Sequence, residues 1–259
     1  MRVLVTGASG AIGRPVCAFL AGRGHAVRRF DRSPAGAPAR DGVAPGPDDV
    51  RGELGDLGAL TGACAGIEAI VHLAAVPDDA PFEQLVPSNV VGLYHLLDAA
   101  RQHSVPRVVL ASSVQVAWHR AAGDPRRTSM HVEPTNHYAL TKVWAEQMGE
   151  MYARKFPMAI IAARIGWMVR DEREALRMRE VAMSRHYISR RDVAHFMACA
   201  IEAPFAGFAT FYAIGPEGRD AYDLAAPAAA IGYDPQDRFP AGLPFDFPPG
   251  PDSPSAPTG

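Results

Sequence analysis

The chain is short of several things, and each shortage excludes something. It has three cysteines, Cys17, Cys64 and Cys199, odd in number and far apart. That fits neither a disulfide framework nor a thiolate metal site. Its nine histidines contain no H-x-x-x-H pair, so no structural or catalytic metal is expected. Neither charge dominates: 26 basic and 28 acidic side chains leave a net charge of −2. The electrostatic footprint of a nucleic-acid or anionic-membrane binder is missing. No apolar run reaches membrane-spanning length, and no secretory leader pattern opens the chain. Reduced thiols and a cytoplasmic setting are the expectation. No internal repeat is evident. What remains is a 259-residue chain, 48% hydrophobic, which suits one domain with a sizeable core.

The first thirteen residues carry the strongest pattern. Met1 to Thr6 reads as a buried strand, followed by the turn Gly7-Ala8-Ser9-Gly10-Ala11-Ile12-Gly13 and an apolar-periodic helix with Val16, Cys17, Phe19 and Leu20. A helix start presents unpartnered N–H groups and partial positive charge, and glycines let the backbone approach a pyrophosphate closely. The spacing is G-x-x-G-x-x-G rather than the G-x-G-x-x-G of the dinucleotide fingerprint. A second strand, His25 to Phe30, ends in Asp31, eighteen residues past Gly13. An acid so placed accepts from the ribose hydroxyls of NAD and repels a 2′-phosphate. Arg32 beside it keeps NADP open, because a guanidinium pairs with such a phosphate.

Further along, Pro34 to Asp49 reads as a loop and Val50 to Leu54 as a third strand. Leu57 to Cys64 reads as a short helix and Glu68 to Leu73 as a fourth strand, nearly continuous in apolar residues as double-sided burial requires. Ala74 and Ala75 are small enough to lie against a cofactor, and His72 reads as a packed strand histidine. One long helix is expected over Phe82 to His103, then a fifth strand, Arg107 to Ala111, ending at Ser112-Ser113. Residues 115–136 read as a loop carrying His119, Arg120, Arg126, Arg127 and His131. A helix from Tyr138 to Lys155, a sixth strand from Met158 to Ala163, helices over Asp171 to Met183 and from Ser189 to Glu202, a seventh strand from Phe208 to Ile214 and a last helix from Ala221 to Ile231 complete the pattern. Alternating strands and helices predict an α/β Rossmann-type doubly wound parallel sheet of about seven strands. The expected organisation is a single dinucleotide-binding domain over residues 1–245, with a small C-terminal substrate-binding portion at about 165–245 and a disordered tail at 246–259.

In such sheets ligands lie at the carboxyl ends of the strands. The glycine turn, Ala74-Ala75 and Ser112-Ser113 all fall there. Tyr138 and Lys142 are four apart and so project from one helix face, one turn apart.

Together, Thr6 to Gly13, Val71-His72-Leu73-Ala74-Ala75, Asn89-Val90-Val91-Gly92-Leu93, Ser112-Ser113 and Tyr138-Ala139-Leu140-Thr141-Lys142 resemble the short-chain dehydrogenase/reductase superfamily, and within it the extended NAD-dependent epimerase/dehydratase branch. The resemblance covers roughly residues 1–245. Ser113 precedes Tyr138 by twenty-five residues, the spacing that branch uses for its active serine and tyrosine. The resemblance implies NAD as cofactor and a Tyr/Lys/Ser mechanism. Tyr138 takes the proton of a substrate hydroxyl, Lys142 lowers the phenol pKa from its free value of about 10 and holds the nicotinamide ribose, Ser113 orients the reacting oxygen, and Asn89 helps place Lys142. Cofactor contacts are implied at Gly7, Gly10, Ala11, Ile12, Gly13, Asp31, Arg32, Glu53, Leu54, Leu73, Ala74, Ala75, Tyr138, Lys142 and Ile165. For the acidic adenine contact, Asp56 competes with Glu53.

Within the branch the chain is most similar to compact uronate dehydrogenases, through Pro81 to Leu85, Asn89 to Tyr94 and Tyr233 to Asp237. That implies substrate contacts at Pro77, Ser112, Ser113, Val114, Gln115, Trp167 and Arg177. The match departs at Val114-Gln115, Trp167 and Pro77, where those enzymes typically carry Asn-His and two serines. Arg126, Arg127, Arg170, Arg173 and Arg177 are available to an anionic substrate. The leading expectation is an NAD-dependent oxidoreductase acting on a hydroxyl of a small sugar or sugar acid. An NAD-retaining sugar or nucleotide-sugar epimerase or dehydratase is the alternative, and a dinucleotide-binding protein without catalysis a third. A homodimer or higher homo-oligomer is expected, built on the helices starting near Phe82 and Tyr138.

Overall fold

Val3, Leu4 and Val5, Ile70 and Val71, and Val108 and Val109 are all fully shielded from solvent. Strands without a polar face need cover on both sides, and the computed structural model, which describes residues 1–32, 48–117, 126–181 and 183–247, shows helices supplying it. Seven strands, β1 (Arg2–Thr6), β2 (Ala26–Asp31), β3 (Val50–Arg51), β4 (Ala69–His72), β5 (Arg107–Ser113), β6 (Ala159–Ile165) and β7 (Phe208–Ala213), form one parallel sheet in the order β3-β2-β1-β4-β5-β6-β7. The chain winds outward from β1 to β3, then returns to the other side of β1. The crevice at that reversal is where a ligand has room between diverging connections.

Helices α1 (Gly13–Gly22) and α7 (Arg190–Glu202) cover one face, with Val16, Leu20, Phe196 and Met197 in its core. On the other lie α2 (Leu57–Cys64), α4 (Leu93–Gln102) and α5 (His137–Lys155), with Leu60, Leu96, Leu97 and Met148. Asp56, Asn136 and Ser189 cap α2, α5 and α7 by accepting from the third residue onward, each worth about 1 kcal/mol. Asp171 does the same for α6 (Glu172–Glu180). Among the described residues no helix is long and apolar enough to cross a membrane.

The structure differs from expectation in several places. β3 stops at Arg51 because the chain turns away after Gly52, so Glu53 and Leu54 leave the sheet. The helix expected over 82–103 is continuous but not uniform: α3 (Phe82–Leu85) passes through a wide π-helical stretch, Val86–Gly92, before α4. Pro87 has no N–H to give the ladder there, and Asn89 turns its amide outward to the β4–α3 loop. α6 ends at Glu180, and α8 (Ala225–Ile231) starts later than expected, since the Asp223 carboxylate takes the N–H groups of Ala225 and Ala226. β6 runs two residues further, to Ile165.

Beyond α8 the chain is tied back to the domain. The Asp192 carboxylate accepts from Gln236 N and Asp237 N at 2.9 and 2.8 Å, and the Tyr187 hydroxyl donates to the Ala241 carbonyl at 2.6 Å. Phe239, Leu243, Phe245 and Phe247 pack against Val169, Met178 and Tyr187. Residues 248–259 of the expected tail, most of the expected loop at 34–49, and His119 and Arg120 lie outside the described residues.

Candidate active site

Two glycines shape the turn after β1. Gly7 has φ +69°, and a Cβ there would stand 2.7 Å from the Ala74 amide nitrogen. A Cβ on Gly13 would run into the Gly7 carbonyl oxygen. The turn therefore closes on itself, with Gly10 N–H donating to Gly7 O at 3.0 Å. The α1 N-terminus opens onto a cleft of about 1250 Å³, larger than most small-molecule pockets and roomy enough for a dinucleotide beside a small substrate. Asp31 stands at the end of β2 with its carboxylate accepting from Ser9 N–H at 3.0 Å, which fixes an acid at the rim of the glycine turn. The same cleft is lined by Gly7, Gly10, Ala11, Ile12, Gly13, Asp31, Arg32, Glu53, Leu54, Leu73, Ala74, Ala75, Tyr138, Lys142 and Ile165. Asp56, the competitor of Glu53, is spent on capping α2 and does not line it. A close-approach turn, free helix-start amides, an acid at the β2 end and small residues after β4 are a donor set that fits a dinucleotide.

At the far side of the cleft Ser113 ends β5 and Tyr138 opens α5, with the Ser113 side chain close enough to pull the Tyr138 phenol down. The Ser113 oxygen accepts from Gln115 N–H at 3.2 Å. Lys142, one turn on, is buried, and its Nζ lies 5.4 Å from the centre of the Tyr138 ring. Nζ donates to the Ala111 carbonyl at 2.9 Å, and burial brings Lys142 down to about 8. Burial, helped by the charge of Asp78, pushes Tyr138 up to about 12, with Ser113 pulling the other way. His72 is packed, its Nδ1 sharing a 2.7 Å hydrogen bond with Thr6 Oγ1. Burial and the Lys142 charge hold it down to about 3.

Pro77, Val114, Gln115, Trp167 and Arg177 line the other end of the cleft. Gln115 is fixed by accepting from Asn136 Nδ2 at 2.9 Å, and the Arg177 guanidinium lies 5.9 Å from the Trp167 ring centre. Two residues assigned from sequence are occupied elsewhere. Ser112 lines the cleft, but its buried hydroxyl donates to Glu146 at 2.6 Å. Asn89 does not line the cleft: its amide brackets Val76, accepting from the N–H at 2.8 Å and donating to the carbonyl at 3.1 Å, and reaches Thr141 Oγ1 at 3.2 Å. It ties the β4–α3 loop to the helix that carries Lys142.

Sequence reasoning missed two charged groups. Glu146 and Arg164 form a buried ion pair, 2.8 Å, behind Ser112. The signal was present, because Tyr138, Lys142 and Glu146 recur every four residues and so share one face. Asp78 and Glu174 line the cleft mouth with Arg170 between them. Arg170 and Glu174 stand four apart after β6, but no local pattern links them to Asp78, which comes from the β4–α3 connection.

Comparison with known proteins agrees with this geometry. A uronate dehydrogenase of Pseudomonas putida is 31% identical over 64% of this chain and 60% of its own length, so the matched region spans about three fifths of that relative. An NAD-dependent glucose-6-phosphate dehydrogenase of Haloferax volcanii is 27% identical over 91% of this chain and 93% of its own. Among solved structures, a tyrosine-to-alanine mutant of Agrobacterium tumefaciens uronate dehydrogenase complexed with NAD superposes with a TM-score of 0.78, 28% identity, and coverage of 97% and 92% of the two chains. The model of the NAD dependent epimerase/dehydratase family matches residues 3–169, which takes in the glycine turn, β1 to β6 and the Ser113–Tyr138–Lys142 corner. The chain belongs to the NAD dependent epimerase/dehydratase family.

Proposed function

We propose that this chain is an NAD-dependent oxidoreductase that oxidises a hydroxyl of a small sugar or sugar acid. The observation that carries the reading is the convergence of Ser113 and Tyr138, with Lys142 Nζ 5.4 Å from the phenol ring, in the same cleft as the glycine turn and Asp31. NAD, when bound, supplies the hydride acceptor. Ser113 orients the reacting oxygen, and Tyr138 takes its proton. A phenol held near 12 is a poor acceptor at neutral pH, so positive charge must reach it. Lys142 is the cation on its own helix face, and release from the Ala111 carbonyl frees it to favour the phenolate and to hold the ribose. Asn89 positions Lys142 through Thr141 and the helix.

That the relatives include sugar and sugar-acid dehydrogenases supports the substrate class. The retained-cofactor alternative, an epimerase or dehydratase, has less support, because Val114 and Gln115 put no acid/base pair beside Ser113. Protein that purifies with tightly held NAD and forms no net NADH from sugars would favour that alternative. Tyr138→Phe tests the main reading: NADH formation should fall by about 10²–10⁴-fold while NAD binding persists, and unchanged turnover refutes it. We also infer a cytoplasmic homodimer, resting on Phe82, Tyr94, Leu140 and Trp144, large apolar side chains left exposed on the α3–α4 and α5 helices.

A further inference from the structure

The cleft mouth carries a charge arrangement that hydride transfer does not require. Asp78 sits in the β4–α3 loop with φ +64°, a left-handed conformation that aspartate tolerates better than most residues but still at a cost. Such an outlier beside a reactive centre calls for a functional reason. Its carboxylate meets the guanidinium of Arg170, in the segment after β6, at 3.1 Å. Glu174 grips the same arginine from the other side, accepting from Nε at 2.7 Å and from the Arg170 backbone N–H at 2.9 Å. β4 and β6 are not neighbours, since β5 lies between them. The Asp78–Arg170 pair thus spans from one flank of β5 to the other, across the strand whose end holds Ser113. All three residues line the cleft, and Asp78 is close enough to raise the Tyr138 phenol.

The sign of this bar follows from counting. One guanidinium between two carboxylates leaves the trio at about −1, and Asp79 alongside adds to it. Arg177, another cation at this end, is exposed and lies over Trp167, so solvent screens it as it screens the exposed Asp78 carboxylate, and the difference between them is the scale of one partly exposed charge. The rest of the wall here includes Pro77, Val114, Met168, Val181 and Met183, which cannot donate a side-chain hydrogen bond, with the neutral donors Gln115, Thr135 and Trp167 beside them.

We propose that the Asp78–Arg170–Glu174 trio is a specificity element that makes this site select an uncharged polyhydroxy ring, such as a neutral aldose, over the same ring bearing a carboxylate. A carboxylate entering here stands beside two others, or must draw Arg170 from both. A neutral hydroxyl can donate to Asp78 without breaking the bar. This narrows the substrate class of the oxidoreductase reading and rests on it.

The test compares D-galactose with D-galacturonate, two rings that differ at one carbon. Calorimetric titration of each into the NADH-loaded protein should show galactose bound tighter by about five-fold or more, the scale of one partly exposed charge pair. Asp78→Asn should shrink that ratio by at least about three-fold, and Arg170→Gln, which leaves both carboxylates unopposed, should widen it. A variant that only loosened the fold would move both sugars together. Tighter binding of galacturonate by the unaltered protein, binding of neither sugar, or an unchanged ratio in Asp78→Asn overturns the proposal. Preserved selectivity without NADH formation from either sugar would sink the oxidoreductase reading alone and leave the selection by charge standing.

Discussion

Ser112 and Ser113 are adjacent in β5, and their hydroxyls leave in opposite directions, as successive strand residues must. Ser112 donates into the buried Glu146–Arg164 pair, whereas Ser113 meets Tyr138 in the cleft. The two alanine variants should therefore fail differently. Ser112→Ala leaves a buried carboxylate short of a donor and should cost about 1–3 kcal/mol of stability, read as a lower denaturant midpoint with activity per folded molecule largely kept. Ser113→Ala should melt near the unaltered protein yet lose about 10²-fold in turnover. The reverse pattern would mean the two roles have been exchanged.

His72 makes the fold acid-sensitive. Its imidazole is held down to about 3 by burial first and the Lys142 charge second. Between about pH 6.5 and 3 the unfolded chain binds a proton that the folded one refuses, so the stability His72 contributes above pH 6.5 is lost as pH falls, by up to about 1.4 kcal/mol per unit. Urea midpoints measured from pH 7 to pH 4 should fall less steeply in His72→Gln. Parallel slopes in the two proteins would remove His72 from the explanation.

Gly13→Ala places a methyl group against the Gly7 carbonyl and the Ala8 backbone. Relief requires the turn to open, at about 1–3 kcal/mol. NAD affinity, followed by fluorescence titration, should weaken by at least about ten-fold. Gly22→Ala, where a methyl group meets nothing, is the control and should bind as before.

Leu140 and Trp144 are four apart on α5 and about half exposed. If the α3–α4 and α5 faces pair between copies, the double variant Leu140→Glu, Trp144→Glu should elute as a monomer while the unaltered protein elutes as a dimer. Identical elution of the two at monomer volume would exclude this face.

Much of this architecture was legible in the sequence because it rests on period and punctuation. Continuous apolar runs gave β1, β4, β5 and β6, and Ser189 marked where α7 begins. The cleft lining was legible too, since motifs at strand ends must converge in a doubly wound sheet. What escaped was whatever depends on where a side chain spends its hydrogen bonds. Ser112 looked like a substrate contact until Glu146 claimed its hydroxyl. Asn89 is expected from the sequence to help place Lys142, but spacing does not name Val76 and Thr141 as the partners of its amide. The direction of the Tyr138 shift reversed because spacing reports that Lys142 is near, but not that it is bound to Ala111 or that burial outweighs it. Asp78 and Arg170 are far apart in sequence, with no periodicity linking them.

The wide stretch at Val86–Gly92 has a bearing on how this helix tolerates change. A π-helical turn holds one residue more than an α-helical turn. Deleting a single residue there would restore the regular ladder and leave Leu93, Leu96 and Leu97 in phase on the sheet, because the wide turn already absorbs the surplus, but it would pull Asn89 away from its loop. The helix thus carries a surplus residue. A single-codon deletion there should disturb the packing of this helix less than one inside α4, where each residue lost turns the rest by about 100°.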